Sequence, residues 1–221
     1  MKPLVIAGNW KSNKTTAEAL RWLQDFKNHI ALIPSYITVV LCVPFTLLYT
    51  VKEAIKADSL PLILGAENVS PFAEGAETGE ESARMVRDLA DWVIIGHSER
   101  RKNFGETDGI LAKKFEQAKS VGLKIIYCVP NDSTVIPKGV DVVAYEPVRA
   151  IGTGESDTPE IANSVIVNIK AKSQVPTVIY GGSVTAANVA SFMAQPAIDG
   201  VLPGGASLDP ETFAVLIGNA R

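Results

Sequence analysis

The chain has 221 residues, of which 47% are hydrophobic and 20% charged, with a formal net charge of −3. This is an ordinary globular composition for one domain spanning residues 1–221. The near-balanced charge excludes a general nucleic-acid binder but leaves room for a local basic pocket that takes an anionic ligand. The longest apolar runs, such as Ile37–Val43, are too short to span a bilayer, and no signal-peptide pattern follows the apolar start at Met1–Gly8, so a cytoplasmic protein is expected.

Eight short apolar runs punctuate the chain, at 4–7, 37–43, 62–66, 92–95, 123–128, 142–145, 177–180 and 200–202. They are rich in β-branched residues and mostly lack alternation, as strands covered on both faces do, which predicts a parallel sheet. Helical patterns lie between most of them. After the first run, Leu20, Leu23, Phe26, Ile30 and Ile33 share a face, and Thr15 with Glu18 reads as a capping box. After the fourth, Ile110, Leu111, Phe115, Ala118 and Val121 line one side, with Gly122 in the position of a C-terminal capping glycine. Thr158-Pro159 and Asp209-Pro210 each set a capping residue before a proline suited to the first helical position. Between Cys128 and Val142, Pro130 and Pro137 among many turn formers leave no room for a full helix. The alternation predicts a single-domain α/β fold, a (β/α)8 barrel with its fifth helix shortened or absent; a doubly wound open sheet is the alternative. Cys42 and Cys128, each near the end of an apolar run, are expected to be buried free thiols.

In a parallel barrel the carboxyl ends of all strands share one rim, where the active site is found. That rim would gather Asn9 and Lys11 after the first strand, His97 and Glu99 after the fourth, and Glu146 after the sixth. Gly181-Gly182-Ser183 and Gly204-Gly205 follow the seventh and eighth. Singly these read as a surface lysine, a structural histidine, an ordinary Glu99–Arg100 ion pair, a solvated carboxylate and turns. Together a base, an imidazole and a cation suit proton transfer next to a carbonyl, and the glycines suit backbone N–H groups that hold a phosphate. Ser98 is placed to cap a helical turn after His97, which would favour neutral imidazole. Segment 68–80 is long for a loop in a compact domain and is expected to be functional.

At Gly8-Asn9-Trp10-Lys11, Gly75–Glu80, Gly96–Arg101, Ala144–Gly154, Tyr180–Val184 and Asp199–Leu208 the sequence resembles the triosephosphate isomerase family, in the family's order and over nearly the whole chain. The resemblance implies a cofactor-free aldose–ketose isomerase of central carbon metabolism with triose phosphates as substrates. It implies Glu146 as base, His97 as neutral donor, Lys11 as stabilising cation, and Asn9 and Glu99 as neighbours that place or relay. Gly152, Ser183, Gly204 and Gly205 would bind the phosphate with Asn9 and Lys11, and residues 147–157 would form a lid. A homodimer is implied through Asn68–Glu80, with Thr78 reaching the other copy's site and Glu80 pairing with the partner's Arg100. The chain departs from the family at Arg149, Asn131, Pro203 and Glu155-Ser156-Asp157, and an Arg149–Asn131 contact near Tyr145 is one expectation. Two rivals are another phosphate-binding barrel enzyme, such as an aldolase, and a catalytically silent barrel paralogue. A Schiff-base aldolase would want a lysine inside a strand near the rim, and Lys124 lies at a strand start.

Overall fold

In the computed structural model, which describes residues 4–147 and 157–220, eight parallel strands close on themselves in chain order. They are β1 (Leu4–Asn9), β2 (Ile37–Val43), β3 (Ile63–Ala66), β4 (Trp92–Ile95), β5 (Lys124–Val129), β6 (Val142–Tyr145), β7 (Val178–Tyr180) and β8 (Gly200–Val201). The pairing of β1 with β8 rules out the open doubly wound sheet.

Both faces of each strand are buried, and this explains the unbroken apolar runs. Along β1, Leu4 and Ile6 pack with the helices, whereas Val5 and Ala7 join Val40, Cys42, Ile94 and Ile126 in a second cluster that fills the barrel. Closure depends on a glycine. At Gly200 φ is +149°, and a Cβ there would sit 1.8 Å from the Val5 carbonyl oxygen.

Among the described residues the helices are α1 (Thr16–Lys27), α2 (Leu48–Asp58), α3 (Ala83–Leu89), α4 (Ser98–Asn103), α5 (Asp108–Ser120), α6 (Pro159–Ser173), α7 (Val189–Met193) and α8 (Pro210–Asn219). Their ends follow the sequence signals. Thr15 and Glu18 form the reciprocal capping box of α1, Thr158 and Asp209 cap α6 and α8 ahead of their prolines, and Gly122 takes φ +75° after α5. The buried face of α1 differs from the expected one. It consists of Ala19, Trp22, Leu23 and Phe26, while Leu20 is exposed. The helix stops at Lys27, so Ile30 lies exposed in a separate 3-10 turn (Ile30–Leu32). The large rings decide this orientation: Trp22 stacks on Phe26 at 4.8 Å and meets Trp10 edge-on at 5.1 Å. Residues 130–141 connect β5 to β6 through turns and bends without a helix. Cys42 and Cys128 are buried free thiols. No described helix is long and apolar enough to cross a membrane.

Candidate active site

The strand ends position the polar residues through short backbone devices. The Asn9 amide donates to the Pro203 carbonyl (2.9 Å), and the Asn9 side-chain oxygen accepts from the Lys11 amide (3.0 Å). This local turn holds Lys11 at φ +54°, a conformation that a non-glycine residue adopts only when its surroundings impose it. The buried Trp10 between them anchors the turn by donating from its indole to the Ser207 carbonyl at 3.2 Å. Gly204 leaves space for the lysine stem, because a Cβ there would lie 3.0 Å from Lys11 Cε.

After β4, His97 caps α4. Its Nδ1 accepts from the Glu99 amide at 3.3 Å. The cap is therefore the imidazole itself and not Ser98, as the sequence had suggested. A nitrogen that accepts cannot carry a proton, so the ring proton sits on Nε2. Nδ1 also lies 3.8 Å from a Glu99 carboxylate oxygen, a distance longer than a hydrogen bond. Nε2 faces Glu146 Oε1 at 3.1 Å, and the other Glu146 oxygen accepts from the Ser98 amide at 2.8 Å. Glu146 is 2% exposed. Its backbone is tied on both sides, with its amide donating to Val129 O (2.9 Å) and the Gly181 amide donating to Tyr145 O (2.7 Å). Lys11 Nζ pairs with Glu99 Oε1 at 2.5 Å. The ordinary Glu99–Arg100 pair, the alternative to a site role, is absent among the described residues; Arg100 instead pairs with Glu106 at 2.6 Å.

A cleft of about 460 Å³ runs along this rim. Asn9, Lys11, His97, Glu146, Ser183, Gly204 and Gly205 all line it, together with Ser98, Gly181 and Gly182. A second cleft of about 320 Å³ adjoins it, shares Asn9, Lys11 and His97, and contains Glu99. Gly152 and the lid span 148–156 lie outside the described residues. So does Arg149; its expected partner Asn131 has its side-chain oxygen committed to its own turn, accepting from Ser133 N and Oγ. Among the described residues no group of three or more His, Cys, Asp and Glu side chains could hold a metal ion.

The structure gives one residue named from the sequence, Cys128, a place beside the base, and adds two that were not named, Glu67 and Lys114. Cys128 lies in the barrel beneath Glu146, and burial, then that carboxylate, pushes its thiol well up. Glu67, after β3, lines the second cleft, and burial raises its carboxyl to about 8. Lys114, 3% exposed, donates to Glu106 Oε1 and Asn68 Oδ1, both at 2.5 Å, and so ties α5 to the start of segment 68–80. Burial is also the main influence on this ammonium group, and lowers its proton affinity. A lysine reads as a solvent residue, but its spacing three after Leu111 and four before Ala118 sets it on the buried face.

A closed parallel barrel carrying a carboxylate, an imidazole and an ammonium on its carboxyl rim defines a (β/α)8-barrel enzyme of the acid–base type. The family model described as triosephosphate isomerase matches residues 4–220, and the chain belongs to that family. The chain is 44% identical to the triosephosphate isomerase of Synechocystis sp., over 98% of each protein. It is 41% identical to that of Synechococcus sp. (strain JA-2-3B'a(2-13)), over 98% of this chain and 97% of the relative. It is 38% identical to that of Dehalococcoides mccartyi (strain CBDB1), over 96% and 94%.

Proposed function

We propose that the chain interconverts D-glyceraldehyde 3-phosphate and dihydroxyacetone phosphate through an enediolate, using its own side chains. The observation that carries this reading is the Glu146–His97 pair, a buried carboxylate facing an imidazole N–H at 3.1 Å with Lys11 on the same cleft. Glu146 removes a proton from the carbon next to the carbonyl and returns it to the neighbouring carbon. To do so its carboxylate exchanges the Ser98 amide and His97 for the substrate. His97 donates from Nε2 to the substrate oxygen as a neutral acid, and the proton returns to that nitrogen as the second oxygen gives one up. Lys11, braced by Glu99 and placed by Asn9, stabilises the developing oxyanion. Ser183, Gly204 and Gly205, with Gly152, present backbone N–H groups to the phosphate.

Residues 1–221 act as one cytoplasmic barrel domain, and the turn-rich 130–141 connection is a crossover that has lost its helix. The protein works as a homodimer through Asn68–Glu80, with Thr78 of one copy entering the second cleft of the other near Asn9 and Lys11. Support comes from exposed large apolar side chains: Phe104, which lines that cleft, is 68% exposed, Met85 in a groove that shares Phe45 with the cleft is 53% exposed, and Phe72 within the segment itself is 43% exposed. The testing experiment is an assay coupled to a dehydrogenase that consumes dihydroxyacetone phosphate. Steady turnover from glyceraldehyde 3-phosphate is expected. Binding of triose phosphate without turnover would leave a silent barrel, and absence of both would refute the assignment of the cleft.

A further inference from the structure

We propose that the carboxylate of Asp157 is a positioning residue for the isomerisation, acting on the base Glu146 through the hydroxyl of Tyr145. The inference rests on the reading of Glu146 as the base. Tyr145 is the last residue of β6 and stands directly before Glu146. Its ring is buried, and its hydroxyl donates to Asp157 Oδ2 at 3.0 Å. Burial, then this carboxylate, pushes the phenol well above its ordinary range, so it remains a protonated donor. Asp157 is itself held. Its amide donates to the Tyr180 hydroxyl at 3.0 Å, and it directly precedes Thr158, the cap of α6. Tyr180 is fully buried and pairs in register with Tyr145, with the two rings 6.2 Å apart. One aspartate therefore clamps the ends of β6 and β7. These two ends carry the base and the Gly181-Gly182-Ser183 turn.

Two facts give the clamp a part in the chemistry. A buried phenol that lost its acceptor would swing or remain unsatisfied, and either response reaches the backbone of the next residue, Glu146. Catalysis depends on placing that carboxylate within a fraction of an ångström of a carbon-bound proton. Asp157 does not line the rim cleft, so its removal acts on the base and not on substrate contacts. Asn131 cannot substitute, because its side-chain oxygen also accepts from the Thr134 hydroxyl at 3.2 Å as well as from Ser133.

The test compares Asp157→Ala, Asp157→Asn, Tyr145→Phe and the Ala/Phe double variant in steady-state kinetics with triose phosphates. Asp157→Ala should lower kcat about ten- to a hundredfold with KM nearly unchanged. Asp157→Asn, which keeps an acceptor oxygen, should recover most of the rate and fold normally. The double variant should be no slower than the slower single variant. Wild-type kcat in Asp157→Ala, or strictly additive losses, would overturn the inference. If the wild-type protein turns over no triose phosphate, the proposed function fails on its own. The clamp is then judged by NMR of the 13C-labelled Glu146 carboxyl: a resonance moved by Asp157→Ala and restored by Asp157→Asn supports it, and an unmoved one overturns it.

Discussion

Glu67 is a carboxyl whose surroundings favour its proton. Among the described residues its Oε1 is buried and has no hydrogen-bond partner; burial raises it most, against the Lys11 backbone amide, and the nearby Glu99 then adds to the rise. Its value rises from 4.5 to about 8. Below 4.5 the folded and unfolded chains both hold this proton; between 4.5 and about 8 only the folded chain does. Folding stability contributed by this group is therefore lost as pH rises across that window, and the loss levels off above it. Glu67→Gln should raise Tm, by roughly 2–4 °C for each kcal/mol regained. The gain should grow from about pH 5 to about pH 8; a pH-independent difference in calorimetry would contradict this. Glu146→Gln keeps the shape of the side chain and its contact with the Ser98 amide, so it should fold normally while kcat falls on the order of 10²–10⁴-fold. Near-normal turnover in the folded variant would remove Glu146 from the role of base. His97 should carry its ring proton on Nε2, with Nδ1 left to accept from the Glu99 amide, visible in the nitrogen shifts of a 15N-labelled imidazole at neutral pH. A doubly protonated ring there would break the Glu99 amide cap.

The strand and helix signals were legible because a barrel imposes strong rules on each element. Its strands are buried on both faces, so β2, β4 and β6 were readable to the residue from apolar runs alone. The proline and capping pairs at 158–159 and 209–210 marked helix starts by local chemistry that needs no tertiary context. The α1 face was misread because hydropathy cannot tell whether Leu20 or the Trp22 indole turns inward; the aromatic stack with Phe26 and Phe213 settles it. Sequence placed the site residues on one rim, yet it could not find Glu67, Lys114 or the contact of Asp157 with Tyr145, which come from partners distant in the chain. The element with least margin is β8, only two residues long. It reaches β1 through Gly200, where an added Cβ would collide with backbone and not with a flexible side chain. Gly200→Ala should therefore destabilise severely, by about 4 kcal/mol or more. It should appear as a large fall in the urea midpoint or as loss of soluble protein; a midpoint unchanged from wild type would show that the β1–β8 seam relaxes easily.

At the level of the whole molecule, the exposed aromatic and methionine side chains at and beside the second cleft call for a covering surface, and in the proposed homodimer a second copy of the same face would supply one by two-fold symmetry. Sedimentation should report a dimer at low micromolar concentration. Phe104→Asp, which places a charge in that face, should shift it toward monomer and lower activity, since the second cleft shares Lys11 and His97 with the first. An active, stable wild-type monomer would refute this assembly. The helix-free 130–141 connection bears on how the barrel forms in time. Val142 pairs with Ile126 across the shortest link between adjacent strands, while Gly200 pairs with Val5 across a roughly twelvefold greater chain separation. Closing the longer loop costs roughly 2 kcal/mol more conformational entropy, at about 0.6 kcal/mol per doubling of length. Local contacts form early and distant ones late. The β5–β6 pair thus has the lowest entropic threshold of any strand pair in the ring, and the β1–β8 seam the highest. In pulse-labelled hydrogen exchange during refolding, the amides of Val142–Tyr145 should gain protection before those of Val5 and Ile6, so the barrel begins zipping at its shortest connection and is sealed last where its two ends meet.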